Sequence, residues 1–190
     1  HILHTFSLDS FYNHALEVFL LKEKTENYFL LYRNKPSVVI GKHQLPYQEI
    51  DIHHLISNNI PMLRRISGGG AVYHDEGNIN FCFIINSLPG KQVNFRKYTR
   101  PIIDYLSSYG LNVHLNARNN ILINNLKISG NAEHIFKNRV LHHGTLLFNS
   151  DLRKMNQCLQ DNSRKYGSKA IPSVRSEVTN ISQYIKQKFT

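Results

Sequence analysis

The chain has 190 residues, with 23 lysines and arginines against 13 aspartates and glutamates, and its formal net charge is +10. Its 41% apolar and 19% charged residues are typical of a globular protein with one full hydrophobic core. No apolar run approaches the roughly 20 residues that span a bilayer, and the two cysteines are too few for a disulfide framework. The basic residues are scattered and no nucleic-acid-binding signature is present, so we predict an acidic partner that is neither a membrane nor a nucleic acid.

The first half of the chain predicts helices and short strands. The predicted elements are a helix over residues 8–24, strands over 28–32 and 37–41, a helix over 51–57, extended segments over 62–66 and 71–74, and a strand over 80–85. The first helix begins at a cap formed by Asp9 or Ser10. The apolar residues that share one face of this helix are Leu8, Tyr12, Ala15 and Phe19.

The second half adds two hairpins between two helices. An amphipathic helix over residues 98–109 ends at Gly110. The first hairpin turns on Asn124 and Asn125, because asparagine tolerates the left-handed conformation that tight turns need. The second turns on residues 137–138, and a last helix covers 151–159, with Ser150 or Asp151 as its cap. This order predicts an α+β fold with a mixed, largely antiparallel sheet packed by helices.

Three adjacent glycines at residues 68–70 lie between two extended segments. One glycine suffices for a bulge or a tight turn, whereas three leave backbone N–H groups that can converge on an anion. Arg64 and Arg65 precede the glycines and can neutralise phosphate or carboxylate charge. Neither the lysine of a Walker loop nor the helix of a dinucleotide-binding fingerprint follows. We interpret the segment as an anion-binding loop, with a plain turn between strands as the alternative.

Two further clusters contain side chains that can contact a charged or polar ligand. Lys127 lies at the end of a strand beside Ser129 and Gly130, where it can reach a charged ligand from a rigid base, although a solvated lysine is the alternative. His142 and His143 are neighbours in a strand and therefore point to opposite faces. We expect one of them to pack in the protein and the other to face a pocket, without a shared metal ion.

Five segments carry a family resemblance. They are SVVIGKHQLPYQEI, RRISGGGAVYHDEGNINF, KISGNA, LHHGTLLFNSDL and IPSVRSEVTN, and together they extend over about residues 8–182. In order and spacing they resemble the motifs of the lipoate–protein ligase family. The resemblance implies the α+β fold of the biotin/lipoate ligase catalytic domain, as one domain over residues 1–190. It also implies that the accessory domain of many such ligases is absent here, and it leaves open whether the catalytic domain is complete at its C-terminus.

The resemblance implies a two-step reaction. Lipoate and ATP, with Mg²⁺, form lipoyl-adenylate and pyrophosphate, and the lipoyl group then passes to a lysine of an acceptor protein. The acceptors implied are the lipoyl domains of 2-oxoacid dehydrogenase complexes and the glycine-cleavage carrier protein. A separate accessory domain or subunit is a further expected partner. The expected location is the cytoplasm, or the mitochondrial matrix in a eukaryote.

The resemblance also assigns site residues. Lys127 corresponds to the catalytic lysine, and no protein ligand is assigned to a metal, since Mg²⁺ is expected with ATP. The residues assigned to ATP and the adenylate are Arg65, Gly68, Gly69, Gly70, Ala71, Val72, Tyr73, Asn119, Lys127, Ser129 and Gly130. Those assigned to lipoate are Ser67, Gly69, Gly70, His74, Lys127, His143 and Thr145. Apolar side chains around Val39, Ile40 and Val72 are expected to hold the dithiolane tail.

Three other functions remain open. Asn120 stands where the family commonly has aspartate, which favours a lipoyltransferase that uses preformed lipoyl-adenylate. An octanoyltransferase needs a nucleophilic cysteine, but Ser173 follows Pro172, and Cys82 and Cys158 lie in apolar settings typical of buried thiols. A non-catalytic lipoate-binding protein is the third alternative. The acyl chain, the acceptor and the oligomeric state are not identified by the sequence.

Overall fold

The computed structural model describes residues 1–88, 90, 93–160 and 173–185. These residues form three β-sheets with helices packed on them. The helices are α1 (Ser10–Glu23), α2 (Pro46–Glu49), α3 (Ile52–Ser57), α4 (Phe95–Ser108) and α5 (Leu152–Cys158), with a 3-10 turn at Ile181–Gln183. The strands are β1 (Ile2–His4), β2 (Tyr28–Tyr32), β3 (Ser37–Ile40), β4 (Met62–Arg64), β5 (Val72–His74), β6 (Asn78–Asn86), β7 (Val113–Leu115), β8 (Ile121–Ile123), β9 (Leu126–Ser129), β10 (Asn131–Phe136) and β11 (Arg139–Leu147).

The strand pairing is mixed and mostly antiparallel. The central sheet has the order β1-β2-β6-β11-β10, in which β1 and β2 are parallel and the other neighbours antiparallel. A second sheet has the order β4-β3-β5, with β3 and β4 parallel, and a third has the antiparallel order β7-β8-β9. The predicted α+β class and largely antiparallel pairing are confirmed, and the pairs divide among three sheets.

Both predicted hairpins are confirmed, and each turns where the sequence places it. Asn124 and Asn125 have φ angles of 47° and 66°, as a two-residue turn of the left-handed type requires. In the hairpin of β10 and β11, Phe136 pairs with Arg139 and Lys137 has a φ of 54°. Each turn therefore fixes the register of its own hairpin, β8 with β9 and β10 with β11.

The predicted helices form with small changes in their ends. The Asp9 carboxylate accepts hydrogen bonds from the backbone N–H groups of Phe11 and Tyr12, and it caps α1 as expected. Asp151 caps α5 in the same way, through Lys154 N–H. The short strands β1 and β7 were not predicted, because three residues give too little pattern to distinguish a strand from a loop.

Helix α1 directs a polar face into the protein. Tyr12 and Phe19, on the face that the apolar spacing selects, are 56% and 48% exposed. The buried side chains include Asn13, His14 and Glu17, which is only 2% exposed. Buried polar groups need hydrogen-bond partners, so α1 must face a polar part of the molecule.

Three apolar clusters support the sheets, and they contain both cysteines. Cys158, the last residue of α5, packs with residues of β3, β5 and α3, and Cys82, on β6, packs with residues of α1 and the central sheet. Burial raises the pKa of the Cys158 thiol to about 11 and that of Cys82 well above its usual value. The interpretation of both cysteines as buried thiols is confirmed. Within the residues that the structure describes, no helix has the length and apolar character to cross a membrane.

Candidate functional site

A cavity of about 400 Å³ lies between the glycine loop and strands of all three sheets, a size within the range of about 300–1,000 Å³ usual for small-molecule sites. One side is buried, and we call it the inner wall; its residues are His14, Tyr32, His74, Asn80 and His143. The other side reaches solvent at the exposed Arg118, and we call it the outer wall; its other residues are Asn120, Lys127, Gly130 and Ser173. Val39, Ala71 and Val72 add apolar surface to the cavity.

Arg65 holds the glycine loop together. Its Nη2 donates hydrogen bonds to the carbonyl oxygens of Gly68 and Gly70, at 2.6 and 2.7 Å, and its Nη1 donates to that of Val39 at 3.1 Å. Burial lowers the pKa of Arg65 to about 10, although nearby Glu17 opposes that shift. The guanidinium thus keeps its proton at neutral pH and adds positive charge to the cavity.

The three glycines have different structural roles. Gly69 has a φ of +86°, which favours glycine, and a Cβ on Gly41 would overlap the Gly69 carbonyl. A Cβ on Gly70 would lie 2.8 Å from Ser173 Oγ, whereas a Cβ on Gly68 would meet nothing within 4 Å. Close packing of the loop therefore requires small residues at positions 41, 69 and 70.

A chain of hydrogen bonds through Ser67, His143 and Glu17 supports the inner wall, and we call it the relay. Ser67 Oγ accepts from Arg65 Nε at 3.1 Å and lies 2.6 Å from His143 Nε2. His143 Nδ1 donates to Glu17 Oε2 at 2.9 Å, and Tyr32 donates to Oε1 at 2.9 Å. Burial acts to raise the pKa of Glu17, but His143, His14 and Tyr32 outweigh it and lower that pKa to about 2.

This relay has the connectivity of a serine nucleophile, a histidine base and a carboxylate, but it does not expose the serine. Ser67 is 1% exposed and lies behind the cavity rather than on its surface. A nucleophile must reach its substrate. We therefore interpret Ser67 and Glu17 as the residues that fix the ring of His143, which does line the cavity.

The paired histidines behave as the sequence predicts. His143 faces the cavity, whereas His142 is fully buried against Phe81, Phe95 and Tyr98. His142 Nδ1 lies 2.9 Å from a carboxylate oxygen of Glu133. Burial lowers the pKa of His142, although Glu133 opposes the shift, so this histidine is a neutral core residue at neutral pH.

Lys127 stands on the outer wall, and its backbone is fixed on both sides. Its N–H donates to the carbonyl of Glu177, and its own carbonyl accepts from Thr179 N–H. A Cβ on Gly130 would lie 3.2 Å from Lys127 Nζ, so the small glycine makes room for the ammonium group. Burial, together with the charge of Arg65, lowers the pKa of Lys127. None of the described residues accepts a hydrogen bond from this ammonium group.

Ser173 ties the last described segment to the glycine loop. Its Oγ accepts hydrogen bonds from Ala71 N–H and from Gln44 Nε2, both at 2.9 Å. Its own N–H donates to the buried carboxylate of Glu49, at 3.1 Å to the nearer oxygen. Ser173 therefore holds the glycine loop in place beside the cavity.

Most of the residues assigned from the sequence meet at this cavity. Those that line it are Arg65, Gly69, Gly70, Ala71, Val72, His74, Lys127, Gly130, His143 and Thr145. Those that do not line it are Ser67, Gly68, Tyr73, Asn119 and Ser129. The alternation of strand β5 explains Tyr73, which packs in the core with Ile40 while both of its neighbours face the cavity. Asn119 supports the site from behind, because its carbonyl accepts from Asn131 Nδ2 at 2.8 Å.

Sequence reasoning missed the contribution of α1. His14 lines the cavity and Glu17 supports it, yet neither was assigned to the site. A signal was present in the sequence, since Ser10, Asn13 and Glu17 recur at spacings of three and four, which places polar groups on one helix face. The apolar residues of the opposite face repeat at similar spacings, so the sequence predicts that face, rather than the polar one, to be buried.

The α+β fold and a cavity that joins a buried wall to a lysine at its open side are features of a domain that binds a small ligand. Within this class the chain belongs to the lipoyl protein ligase A/B catalytic domain family, whose family model matches residues 9–190. The family assignment and the predicted fold class are thereby confirmed.

Individual relatives agree with this assignment. The chain is 46% identical to lipoate–protein ligase 1 of Staphylococcus aureus over 175 residues, which cover 91% of the chain and 53% of that protein. It is similar to LipL1 of P. falciparum, solved in complex with lipoate, with a TM-score of 0.82 and 27% identity over 99% of this chain and 57% of that one. A structure from the lipoylation system of Thermoplasma acidophilum, a bi-partite lipoate protein ligase and its E2 lipoyl domain, gives a TM-score of 0.83 at 26% identity, over 98% of this chain and 75% of that one. The chain spans about half the length of the curated relatives it matches.

Proposed function

We propose that the chain is the catalytic domain of a lipoate–protein ligase. In the first step a lipoate carboxylate oxygen attacks the α-phosphorus of ATP, and pyrophosphate leaves. In the second step the amine of an acceptor lysine attacks the carbonyl carbon of lipoyl-adenylate, loses a proton, and AMP leaves. The observation that carries the proposal is the position of Lys127. Its ammonium group has no hydrogen-bond acceptor among the described residues, and it lies at the open side of a cavity whose other side is buried.

Lipoate is proposed to lie across the cavity with its tail toward the inner wall. Val39 and Val72 supply apolar surface for the acyl chain, and the carboxylate of Glu17 behind that wall disfavours a second negative charge there. The ligand carboxylate therefore lies toward the outer wall, within reach of Lys127. The glycine loop, with the buried charge of Arg65 behind it, is proposed to face the phosphates.

Lys127 acts by stabilising negative charge. Its partial burial lowers its pKa, and in a water-poor site an ammonium group interacts more strongly with phosphate and carbonyl oxygens than it does in bulk water. Negative charge accumulates on these oxygens in both steps, so a single fixed cation serves both.

Magnesium is proposed to enter with ATP. Among the described residues no group of three histidine, cysteine, aspartate or glutamate side chains is placed to hold a metal ion. Both oxygens of Glu17 are occupied, by His143 and Tyr32. We propose the phosphates of the nucleotide as the ligands of Mg²⁺, whose charge would offset theirs.

The acceptor is proposed to be the lipoyl domain of a 2-oxoacid dehydrogenase complex or the glycine-cleavage carrier protein. The net charge of +10 supports an acidic acceptor, because opposite charge speeds the encounter. A further region or subunit is a proposed partner as well, since the relatives are about twice as long. The proposed location is the cytoplasm, or the mitochondrial matrix in a eukaryote.

A second candidate is a lipoyltransferase, and Asn120 favours it. This residue lines the cavity with a neutral amide where the family commonly has a carboxylate. Loss of a charge beside the nucleotide would weaken adenylate formation without removing Lys127, which the transfer step also needs.

One experiment tests both candidates. We expect the 190-residue chain to catalyse lipoate-dependent exchange between ATP and pyrophosphate in the presence of Mg²⁺, with a Lys127→Ala variant as the inactive control. No exchange, combined with lipoylation of an acceptor domain from added lipoyl-adenylate, would establish the transferase instead. Failure in both reactions, while lipoate still binds, would leave a lipoate-binding protein.

A further inference from the structure

Two basic side chains stand at the rim of the cavity, where the glycine loop meets β10. Gly69 lines the cavity at an exposed position, and a Cβ built on it would lie 3.9 Å from Ala132 Cβ. Lys42 lies beside the same loop, because its N–H donates to the carbonyl oxygen of Ser67 at 2.9 Å. His134 follows Ala132 on the same face of β10. The rim formed by Gly69 and Ala132 is therefore flanked by Lys42 and His134.

Lys22 of α1 completes a basic cluster at this rim. Its Nζ lies 5.8 Å from the centre of the Phe136 ring, and Phe136 shares a face of β10 with His134. Burial lowers the pKa of His134, and the charges of Lys42 and Lys22 add to the effect. Both lysines, from two separate parts of the fold, are therefore close enough to act on one imidazole ring. We call Lys22, Lys42 and His134 the basic cluster.

The two lysines of the basic cluster form no ion pair with any acidic residue that the structure describes. Glu133 neighbours His134 in β10 but points to the opposite face of the sheet, where it is bonded to His142. Uncompensated positive charge beside a cleft attracts an acidic partner. The charges of Lys22 and Lys42 are therefore available to a partner that approaches the cavity.

An apolar groove lies next to the basic cluster, between α1 and β4. It is lined by exposed apolar and charged side chains, which include Phe11, Phe19, Met62, Lys22, Glu23 and Arg64. Arg64 joins the groove to the basic cluster, because its Nη1 donates to the carbonyl oxygens of Gly41 and Lys42, at 2.8 and 3.2 Å. His14 lines both the groove and the cavity. The groove and the basic cluster thus form one continuous surface that begins at the cavity rim.

We propose that this surface docks the acceptor domain and that Lys22 and Lys42 are the cations that attract it. The inference rests on the proposed function, in which a lysine of the acceptor must enter the cavity. Because the surface begins at the rim, a domain held there can keep its lysine at the cavity opening. The surface fits a protein with acidic side chains around an apolar patch, since aromatic and methionine side chains lie beside the cations. A second copy of this chain fits less well, because it would bring like charges together.

Charge reversal tests the basic cluster. The variant Lys22→Glu/Lys42→Glu should raise the KM for the apo form of an E2 lipoyl domain about tenfold, and added salt should reduce its difference from the unaltered protein. Arg96→Glu/Lys97→Glu changes the net charge equally on α4, which packs against His142 on the opposite face of the central sheet, and it is the matched control. An equal rise in both variants would mean that net charge alone attracts the acceptor, and it would overturn the inference.

Pyrophosphate exchange separates failure of this inference from failure of the proposed function. The exchange needs no acceptor, so both charge-reversed variants should retain it. Absence of both exchange and transfer in the unaltered chain would contradict the proposed function, and the docking surface with it. Intact exchange, combined with an unchanged acceptor KM in Lys22→Glu/Lys42→Glu, would overturn the docking surface alone.

A pair of α1 variants tests the groove. Phe19→Ala should raise the acceptor KM about three- to fivefold, whereas Tyr12→Ala, exposed on α1 but outside the groove lining, should leave it unchanged. Thermal melting would verify that both variants fold. Equal KM values in the two variants would overturn the assignment of the groove. A dimer of the unaltered protein that Phe19→Ala dissociates, seen by analytical ultracentrifugation, would assign the surface to a second copy instead.

Discussion

The two walls of the cavity differ in how firmly their side chains are held. On the inner wall, His143 is fixed through Ser67 on one side and Glu17 on the other, and His74 is fixed by Asn34. On the outer wall, Lys127 has a fixed backbone but no described side-chain partner. The inner wall is thus ordered before any ligand arrives, while the Lys127 ammonium group keeps its hydrogen-bond donors available for one.

This difference indicates that the two walls have different functions. Rigid, hydrogen-bonded groups recognise shape and polarity because they need no rearrangement on binding. A single cation at the open side can stabilise the charge that develops on phosphate oxygens in the first step and on the carbonyl oxygen in the second. Changes at Lys127 should therefore affect turnover, whereas changes to the inner wall should affect affinity and stability.

The largest effect is expected at Lys127. Lys127→Ala should lower lipoate-dependent pyrophosphate exchange by at least about a hundredfold, because it removes the group that stabilises the developing charge. Its melting temperature should stay close to that of the unaltered chain. Lys35→Ala, at an exposed lysine, is the matched control. Near-normal exchange in Lys127→Ala would remove the basis of the proposed chemistry.

A pair of glycine variants tests the loop that joins the two walls. Gly41→Ala should destabilise the protein by about 1–3 kcal/mol, because the added methyl group overlaps the Gly69 carbonyl. Gly68→Ala, where the methyl group meets nothing within 4 Å, should change stability by less than about 0.5 kcal/mol. Urea unfolding of both variants measures the difference. Equal losses would mean that the close approach is not what holds the loop.

The carboxylate behind the inner wall gives a pH-dependent prediction. The pKa of Glu17 falls from 4.5 to about 2 on folding, so its stabilising contribution is complete above pH 4.5 and is lost as the pH falls toward 2. Glu17→Gln should cost about 1–3 kcal/mol at neutral pH and lose that part of the acid dependence. Glu23→Gln, exposed on the same helix, is the control. An unchanged stability profile in Glu17→Gln would show that the relay does not stabilise the fold.

The smallest effect is expected at Ser173. Ser173→Ala removes the acceptor of Ala71 N–H and should destabilise the protein by about 1 kcal/mol. The KM for lipoate should rise a few-fold because the loop above the cavity loosens. Ser182→Ala, away from the cavity, is the control in thermal melting and steady-state kinetics. A fall in kcat with an unchanged KM would assign Ser173 to the chemistry instead of the loop.

Local features of this fold could be predicted from the sequence. Asparagine pairs in left-handed turns, aspartate caps and the opposite directions of His142 and His143 each depend on a few neighbouring residues. These local rules placed both hairpins and two of the helix starts correctly.

The inner wall could not be predicted in the same way. Glu17 is buried because it meets His143, which is 126 positions away in the chain. The link between Gln44 and Ser173 spans 129 positions. A buried polar residue looks in the sequence like an exposed one until its partner is known, and only the three-dimensional pairing distinguishes the two.

The most direct test of the division between the walls is a crystal structure of the chain with lipoate bound. We predict that the ligand carboxylate lies toward Lys127 and that the dithiolane ring lies against the inner wall, beside His74. A ligand in the opposite orientation, with its carboxylate among the histidines, would contradict the account.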